Sequence, residues 1–585
     1  MRQWVAVVGL MVAVLAGVSA RAEQAVAPQS PPLASAVVTG TVVDAVSGQP
    51  LSGVVLDMAV EREGVPLATR LPRQITNAKG QFTFPQVPAG RVTIRATAGG
   101  VSLLSGGFLQ DTRNRPVGAY LEGGTGQGRP GGRLRAIEIK DRQHLSGEEI
   151  RMWRAAALMG VVTDDLGEPV VDAVVGAVRV STDGTLLDGP TTNTDDLGRY
   201  RLSALEPGRY VVYVPQSQTV MPAAAVDAAM AEHQARVANG LAAPKPAWQF
   251  AGVRVGGAYI SSTSTSSTDS GNVPRFINGA AFVYPTTFYP SSTSLNTNAA
   301  VELKAGEERT GIDVNTRPLP TASVTGTLLA AGEPAAGVRL RVMATGSADA
   351  GMFEVANGVS DSQGRFEFPA LPIGDYTLVV TGGSIEGSSP TRYGAYWLAE
   401  PLSVGVDGMA NLSITLRVGV SLRGQLEFEG ASQRPDAQAL KNVVVVLTPM
   451  RRRFRGGDVP SLAVIDPNHQ FVAAGIVPGR YYLRPLRMQF GGWYLKSIQI
   501  GGRDVTEFPI DVSGDVSGVV MTFTDQVTRL VANVDGAHAE DPPVVLLFPS
   551  DRSAWTDLRR GNARAPIEPL SGSGSVTFTN LLAGD

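Results

Sequence analysis

The sequence predicts an all-β protein of tandem small antiparallel β-sandwich modules, with one short helix in an insertion. Three observations predict this fold. One short motif returns five times, Gly and Pro are abundant without a period (67 and 39 of 585 residues), and a single stretch has helical spacing. A chain of this length exceeds what one hydrophobic core supports, so we expect several domains.

The repeated motif is clearest around Phe366 and Phe368, which alternate and therefore face one side of a strand. Gly374 follows, and Tyr376 begins a second alternating strand. We expect a β-hairpin whose corner requires positive φ at Gly374. An apolar opener, a middle apolar residue and the turn glycine recur at i, i+5 and i+8: Phe82, Val87, Gly90; Tyr200, Leu205, Gly208; Phe366, Leu371, Gly374; Phe471, Ile476, Gly479; Val576, Leu581, Gly584.

A second glycine lies ten residues before the turn glycine in four copies (Gly80, Gly198, Gly364 and Gly574), and His469 replaces it in the remaining one. The fifth copy stops at Asp585, before any counterpart of the strand that begins at Tyr376, so we expect that module to be truncated.

These patterns predict a division of the chain into nine segments. They are a signal peptide (1–22), a flexible leader (23–35), module one (36–107), a Gly/Arg-rich loop with connecting strands (108–157), module two (158–218), an insertion with a helix at 222–239, a Ser/Thr loop and connecting strands (219–321), module three with connecting strands (322–417), module four (418–526) and module five (527–585). Val226, Met230, His233, Val237 and Leu241 form one predicted stripe along the helix.

The N-terminus has the features of a secretory signal: Arg2, an uncharged apolar run over Trp4–Gly17, and the cleavage pattern Ala20-Arg-Ala22. We expect a mature chain from Glu23, and an uncleaved anchor remains the alternative. No later stretch is long and apolar enough to span a bilayer, so no transmembrane segment is expected after cleavage. The predicted location is the periplasm, the cell surface or the medium.

The composition indicates which chemistry to expect. The net charge of −3 does not favour nucleic acid as a partner, and the basic run Arg451–Arg455 is interpreted as a solvated loop. The chain has no Cys, which excludes disulfides and thiolate metal sites. Its four His residues form no zinc motif, and no Gly-x-Ser-x-Gly sequence occurs. The acid pairs at 164–165 and 195–196 are interpreted as turn residues. No catalytic residue, metal or cofactor is expected.

The segments that begin modules one and two resemble a known family. Gly40-Thr-Val-Val-Asp44, continued by Gly48-Gln-Pro-Leu-Ser-Gly53 and Asn77-Ala-Lys-Gly-Gln-Phe82, resembles the carboxypeptidase regulatory-like domain, and so does Gly160-Val-Val-Thr-Asp164. Such domains are similar to transthyretin-like (prealbumin-like), Cna B-type and starch-binding-like sandwiches. The resemblance implies a β-sandwich that is a non-catalytic appendage of some metallocarboxypeptidases, and it names no ligand.

The first functional hypothesis is a non-catalytic exported protein with a structural or interaction role at the cell envelope, where an envelope protein would be its partner. The alternative is an accessory carbohydrate-binding protein with a polysaccharide partner, and a hydrolase is third. Aromatic residues outside the repeat core either receive sugar rings or fill the joints between modules. The candidate contacts are Trp248, Tyr259, Tyr284, Tyr289, Tyr393, Tyr396, Trp397, Trp493 and Tyr494.

Overall fold

The computed structural model describes residues 35–61, 69–98, 119–132, 134–182, 184, 186–240, 252–262, 274–344, 353–381, 396–440, 443–450, 461–486, 489–534, 544–548, 550, 567–569 and 575–581. The predicted signal peptide, the leader up to residue 34, the basic run 451–455, most of the Ser/Thr loop, Leu241, Trp248 and Tyr393 lie outside these residues. Among the described residues, the regular secondary structure is almost entirely strand, and the predicted all-β fold of repeated sandwiches is confirmed.

Sandwich one has a sheet with strand order β5-β1-β9 and a second sheet ordered β3-β2-β6-β7, in which β4 also pairs with β2 and β8 with β6. Its core joins alternate residues of both sheets. The strands are β1 (Ala36–Asp44), β2 (Val55–Glu61), β3 (Thr69–Arg70), β4 (Gln74–Ile75), β5 (Gln81–Val87), β6 (Gly90–Thr97), β7 (Gly123–Gly124), β8 (Ile137–Ile139) and β9 (His144–Met152).

Sandwich two has one sheet in which β10 pairs with β13, β22 and β23, and another ordered β12-β11-β14-β20, with β21 also on β14. Its strands are β10 (Ala156–Thr163), β11 (Val174–Val180), β12 (Leu186–Asn193), β13 (Arg199–Leu205), β14 (Gly208–Val214), β20 (Thr287–Phe288), β21 (Val301–Leu303), β22 (Glu308–Arg309) and β23 (Val314–Asn315). The insertion between β14 and β20 contains β15 (Gln218–Pro222), α1 (Ala223–Ala238), β16 (Val253–Val255), β17 (Ala258–Ser262), β18 (Arg275–Ile277) and β19 (Ala280–Val283), and a 3-10 turn at Thr297–Ala299 follows β20.

Sandwich three consists of β24 (Leu319–Ala330), β25 (Glu333–Pro334), β26 (Arg339–Ala344), β27 (Glu354–Val359), β28 (Arg365–Pro372), β29 (Gly374–Thr381), β30 (Tyr396–Val404) and β31 (Met409–Val418). Sandwich four consists of β32 (Val420–Glu429), α2 (Ala437–Leu440), β33 (Val444–Pro449), β34 (Ser461–Val464), β35 (Gln470–Ile476), β36 (Gly479–Pro485), β37 (Gln489–Phe490), β38 (Trp493–Ile500), β39 (Arg503–Asp504), β40 (Ile510–Val512) and β41 (Val516–Thr524). The fifth copy contributes β42 (Thr528–Asn533) paired with β45 (Ser575–Leu581), and β43 (Val544–Leu546) paired with β44 (Ile567–Pro569).

The repeated motif is an arch between sheets, so the predicted hairpin is wrong. In sandwich one, β5 pairs with β1 whereas β6 pairs with β2 in the opposite sheet. β13 and β14, and likewise β35 and β36, belong to different sheets, while β28 pairs with β24 and β29 pairs with β26 and β30. Period-two alternation shows only that both strands face the core, which is equally true of a hairpin and of an arch. Positive φ at the turn is confirmed at Gly90, Gly208 and Gly374, with φ of 147°, 156° and 158°.

In each of the four sandwiches, the opener strand, which is the first strand of the unit, pairs in parallel with the strand or strands at the end of the unit. These pairs are β1 with β9, β10 with β22 and β23, β24 with β31, and β32 with β41. The opener glycine permits this contact. A Cβ at Gly40 would lie 2.1 Å from the carbonyl oxygen of Glu148, and one at Gly160 would lie 2.1 Å from that of Ile312.

Strands predicted as connectors therefore belong to the sandwiches. β9, from the segment 108–157, lies beside β1, and β31 lies beside β24. We propose that each unit extends from its opener strand to the strand parallel to it, giving 36–152, 156–315, 319–418 and 420–524.

The Gly/Arg-rich segment is not a solvated loop where it is described. Gly123 and Gly124 are buried and pair with β6, and Thr125 is fully buried. A Cβ at Gly124 would lie 2.4 Å from Leu134 Cδ2, so close packing explains the glycine. The Gly-rich composition predicted a loop because it indicates chain flexibility. It does not indicate whether the segment packs against a neighbouring strand.

The insertion of sandwich two adds strands to both sheets of sandwich three. β15 pairs in parallel with β27, and β17 and β16 extend that sheet further. β19 pairs with β24, and β18 pairs with β19. Two consecutive units are thus joined by backbone hydrogen bonds at two different strands of sandwich three.

Helix α1 is confirmed within a residue of its predicted bounds, but its apolar stripe does not pack as expected. Val226 is buried, whereas Met230 and Val237 are 51% and 58% exposed. The helix contacts β15 and β17, and its buried residues, Ala223 and Val226, lie near its start. Among the described residues, no helix is both long and apolar enough to cross a membrane.

Candidate functional site

The candidate aromatics do not form one platform. Tyr259 lies half-buried in β17, and its hydroxyl donates to Asp227 Oδ1 on α1 at 3.0 Å. The guanidinium of Arg254 lies 5.9 Å from the centre of the ring. This tyrosine therefore fastens the helix to the sheet that it crosses, and one face of its ring is already occupied.

Tyr284 has the same type of environment. Its hydroxyl donates to Asp165 Oδ1 at 2.8 Å, and Arg275 lies 5.1 Å from the ring centre. Burial, together with the hydrogen bond to Asp165, raises the pKa of Tyr284 to about 12, although Arg275 opposes the shift. The acid pair 164–165 thus fastens the insertion to a turn of sandwich two.

Tyr289 packs half-buried against the core of sandwich two, and its amide donates to the carbonyl of Val212 at 2.9 Å. Its neighbour Phe288 joins Tyr213 of sandwich two and Phe353 of sandwich three. We call these three residues the joint cluster. The centre of the Phe353 ring lies 5.1 Å from that of Tyr213 and 4.8 Å from that of Phe288. All three are at most 5% exposed, so this cluster is a dry contact between the two units.

Polar groups surround the same joint. Arg341 Nε donates to Glu354 Oε2 at 2.5 Å across β26 and β27, and both side chains are mostly buried. Asn357 Nδ2 donates to Glu354 Oε1 at 2.8 Å and to Thr219 Oγ1 of β15 at 3.1 Å. The insertion is therefore held by side chains as well as by the β15–β27 pairing.

Tyr396 and Trp397 lie where the two sheets of sandwich three meet. β30 pairs with β31 through Tyr396 opposite Val418 and Trp397 opposite Arg417. The Arg417 guanidinium lies 5.4 Å from the centre of the indole ring, and both aromatic residues are half-buried. The pair closes one edge of the sandwich.

The structure contradicts one candidate contact. Trp493 is 1% exposed, its Nε1 donates to the carbonyl of Gln433 at 3.3 Å, and its ring packs 5.1 Å from that of Phe428. A ligand at the surface cannot reach it, because the ring belongs to the core of sandwich four. Tyr494 follows on the opposite face of β38 and is half-buried. Trp248 and Tyr393 lie outside the described residues.

A polar junction between sandwiches one and two was not predicted. Asp44 is 2% exposed, and its Oδ2 accepts from the Tyr120 hydroxyl at 2.7 Å and from Arg154 Nε at 3.3 Å. Burial alone would raise the pKa of Asp44. The hydrogen bonds from the Ser47 amide, Tyr120 and the Val46 amide outweigh it, so the pKa lies well below its usual range. Arg154 is in the linker between β9 and β10, so this carboxylate ties the linker to sandwich one.

A repeated turn clamp was also missed. Asp361 Oδ1 accepts from the Gln363 and Arg365 amides, both at 2.8 Å, one turn before the motif. The preceding Ser360 hydroxyl donates to the Ala335 carbonyl at 2.6 Å. The same pair recurs as Thr76-Asn77 and Thr194-Asp195. The sequence could have indicated this clamp, since each Asn or Asp stands five residues before the first apolar residue of the repeated motif.

The described residues include no group of three His, Cys, Asp or Glu side chains placed to hold a metal ion. Described residues of sandwich two border at least two surface depressions. One, of about 860 Å³, lies around Gly160, Tyr200 and Gly311. The other, of about 660 Å³, brings together Arg129, Arg179 and Arg209, and we call it the arginine cleft.

Comparison with known families confirms the resemblance for two segments. The model of the carboxypeptidase regulatory-like domain matches residues 37–109 and 157–238. These matches include most of the strands of sandwich one and the first half of sandwich two. No curated protein matches the chain.

Several solved structures are similar to this chain at low identity. The Streptococcal ancillary pilin has 13% identity and a TM-score of 0.18, covering 65% of this chain and 99% of the pilin. The minor pilin GBS52 of Streptococcus agalactiae has 14% identity and a TM-score of 0.21, covering 49% and 98%. Two B repeat units of the collagen binding protein of Staphylococcus aureus have 11% identity and a TM-score of 0.12, covering 84% and 99%.

Proposed function

We propose that this chain is a non-catalytic, exported multi-module protein with a structural or interaction role at the cell envelope. The observation that carries the proposal is the insertion of sandwich two, which adds strands to both sheets of sandwich three. Flexible linkers suffice to join independent catalytic modules, whereas shared sheets resist bending between units. This construction suits a protein that holds a fixed spacing or bears load.

Two further observations support this role. The matched family is that of the regulatory-like domain, which supports a non-catalytic function for sandwiches one and two. Tyr259 and Tyr284 fasten the insertion, which favours the joint interpretation for these two of the candidate aromatics. Sugar binding on these rings has less support, because Arg254, Arg275 and Arg417 each cover one ring face. Export rests on the pattern of residues 1–22, and we propose Glu23 as the mature N-terminus.

Fractionation of the producing cells tests the location. We expect the chain outside the cytoplasm, in the periplasm, on the surface or in the medium, with Glu23 as the first residue by mass spectrometry. Cross-linking in intact cells should then join it to an envelope component. Recovery in the cytoplasm with residues 1–22 intact would contradict the proposal, as would hydrolysis of a polysaccharide or peptide by the purified chain.

The role of the joint is tested by a matched pair of variants. Phe353→Ala removes a ring from the joint cluster, and Phe276→Ala removes a ring that is 56% exposed. Both variants should be exported normally. We expect Phe353→Ala alone to lower the yield of the cross-linked envelope complex, because the two units lose their fixed arrangement. Equal yields for the two variants would show that the joint has no part in the interaction.

A further inference from the structure

The arginine cleft lies where the segment 119–132 of sandwich one reaches sandwich two. Its volume is about 660 Å³, and Arg129, Arg179 and Arg209 line it together with Thr182 and Leu187. Three arginines from two units thus line one depression. Like charges around one depression disfavour one another, and an anion bound between them would relieve this repulsion.

Hydrogen bonds orient the side chains of Arg179 and Arg209 and leave part of their donor sets available, whereas Arg129 is placed by its backbone turn. Arg129 lies in a turn in which the Gly132 amide donates to the Arg129 carbonyl at 3.0 Å. Arg179 donates through Nη1 to Glu206 Oε2 at 2.6 Å and through Nη2 to the Pro207 carbonyl at 2.9 Å. Arg209 Nη2 donates to the Thr297 carbonyl at 2.9 Å. A guanidinium has five N–H donors, so these side-chain bonds orient Arg179 and Arg209 without using all of their donors.

The described residues that line the cleft include three arginines and no acidic side chain. Glu206 pairs with Arg179 and neutralises one of the three cations, while a carbonyl, which carries no charge, receives the bond from Arg209. Arg129 and Arg209 are exposed, so an anion in solution can reach them. Guanidinium groups bind carboxylates in a two-pronged geometry, which favours a ligand with planar carboxylates.

We propose that the arginine cleft binds an acidic polysaccharide of uronate sugars. The Leu187 side chain is 44% exposed and offers an apolar surface to the C–H face of a ring, and the Thr182 hydroxyl can bond sugar hydroxyls. The arginines receive the carboxylates. The inference names a partner class for the interaction role proposed above and rests on that role.

Calorimetric titration of the purified full-length chain with oligogalacturonate tests the site. The comparison ligands are neutral oligogalactose, inorganic sulfate and polyglutamate. We expect binding to oligogalacturonate that weakens as salt is added, with at least about tenfold weaker binding to each of the others. Arg129→Ala and Arg209→Ala should each weaken binding about tenfold. Arg503→Ala, which removes an exposed arginine of sandwich four, should leave it unchanged.

Thermal melting confirms that each variant is folded, and Arg129→Lys should restore part of the affinity because it keeps the charge. The proposal is overturned if oligogalacturonate does not bind, if the neutral sugar, sulfate or polyglutamate binds equally well, or if the cleft variants bind like Arg503→Ala. Because the titration uses purified protein, such a failure leaves the fractionation result for the envelope role intact. Conversely, cytoplasmic recovery would overturn that role whatever the titration shows.

Discussion

Phe353→Ala is expected to weaken the unit formed by sandwiches two and three. The ring is 5% exposed and packs edge-on against Tyr213 and Phe288 at centre distances of 5.1 and 4.8 Å. Truncating a buried Phe to Ala costs about 3–5 kcal/mol of unfolding free energy. We take the lower value, about 3 kcal/mol, because the joint cluster is small and lies at the edge of both cores.

Calorimetric melting measures this loss. For a unit of this size, 1 kcal/mol corresponds to about 2–4 °C, so the transition of sandwiches two and three should fall by about 6–12 °C. Amide hydrogen exchange should accelerate in both β14 and β27, because the lost contact joins the two units. A double-mutant cycle with Tyr213→Leu should give a coupling energy of about 0.5–1.5 kcal/mol.

Phe276→Ala is the matched control, since its ring is 56% exposed and its loss should change stability by less than about 0.5 kcal/mol. The reasoning is refuted if Phe353→Ala melts within 1–2 °C (roughly the effect of 0.5 kcal/mol) of this control. It is also refuted if exchange accelerates in β27 while β14 is unchanged, because the ring would then stabilise sandwich three alone.

Three other predictions concern the remaining units. Trp493→Ala should cost sandwich four about 3–5 kcal/mol in urea unfolding, because the ring is 1% exposed, and a cost below 1 kcal/mol would contradict its core position. Gly160→Ala should cost several kcal/mol, since its Cβ would lie 2.1 Å from a backbone oxygen, while Gly405→Ala, with open space around its Cβ, should be near neutral by thermal melting. Asp44→Asn should cost about 1–3 kcal/mol at pH 7. The lowered pKa of Asp44 means that its contribution is present above the unfolded pKa of about 4 and is lost as pH falls further. The difference between wild type and Asp44→Asn in acid-titrated stability should therefore shrink below pH 4, and a constant difference would contradict it.

Some of the fold could be predicted from local pattern and some could not. Phe366 and Phe368 were correctly placed in the core, because alternation identifies the buried face of a strand. The partner of that strand was wrongly predicted, since the same alternation fits an arch and a hairpin. His469 has φ of 64°, the left-handed conformation that Gly80, Gly198 and Gly364 have in the other copies. The register of the repeat therefore indicated backbone geometry even where the residue type did not.

The candidate site was less predictable, because a local pattern does not specify which distant residues a side chain contacts. Composition and spacing identified Trp493 and Trp397 as aromatics outside the repeat core, but one is buried within a sandwich and the other lies at a sheet edge beneath Arg417. The arginine cleft had no signal of its own, because Arg129 and Arg209 are 80 residues apart and belong to different units.

The sequence by itself determined the all-β class, the number of repeats, the turn glycines and the residues that face each core, because all of these follow from short-range periodicity and backbone sterics. Only the tertiary structure decided which strands pair, that the insertion completes both sheets of sandwich three, and which arginines meet. Backbone hydrogen bonds are nearly the same for every strand, so strand partners are selected by packing between residues far apart in the chain, which a local pattern does not encode.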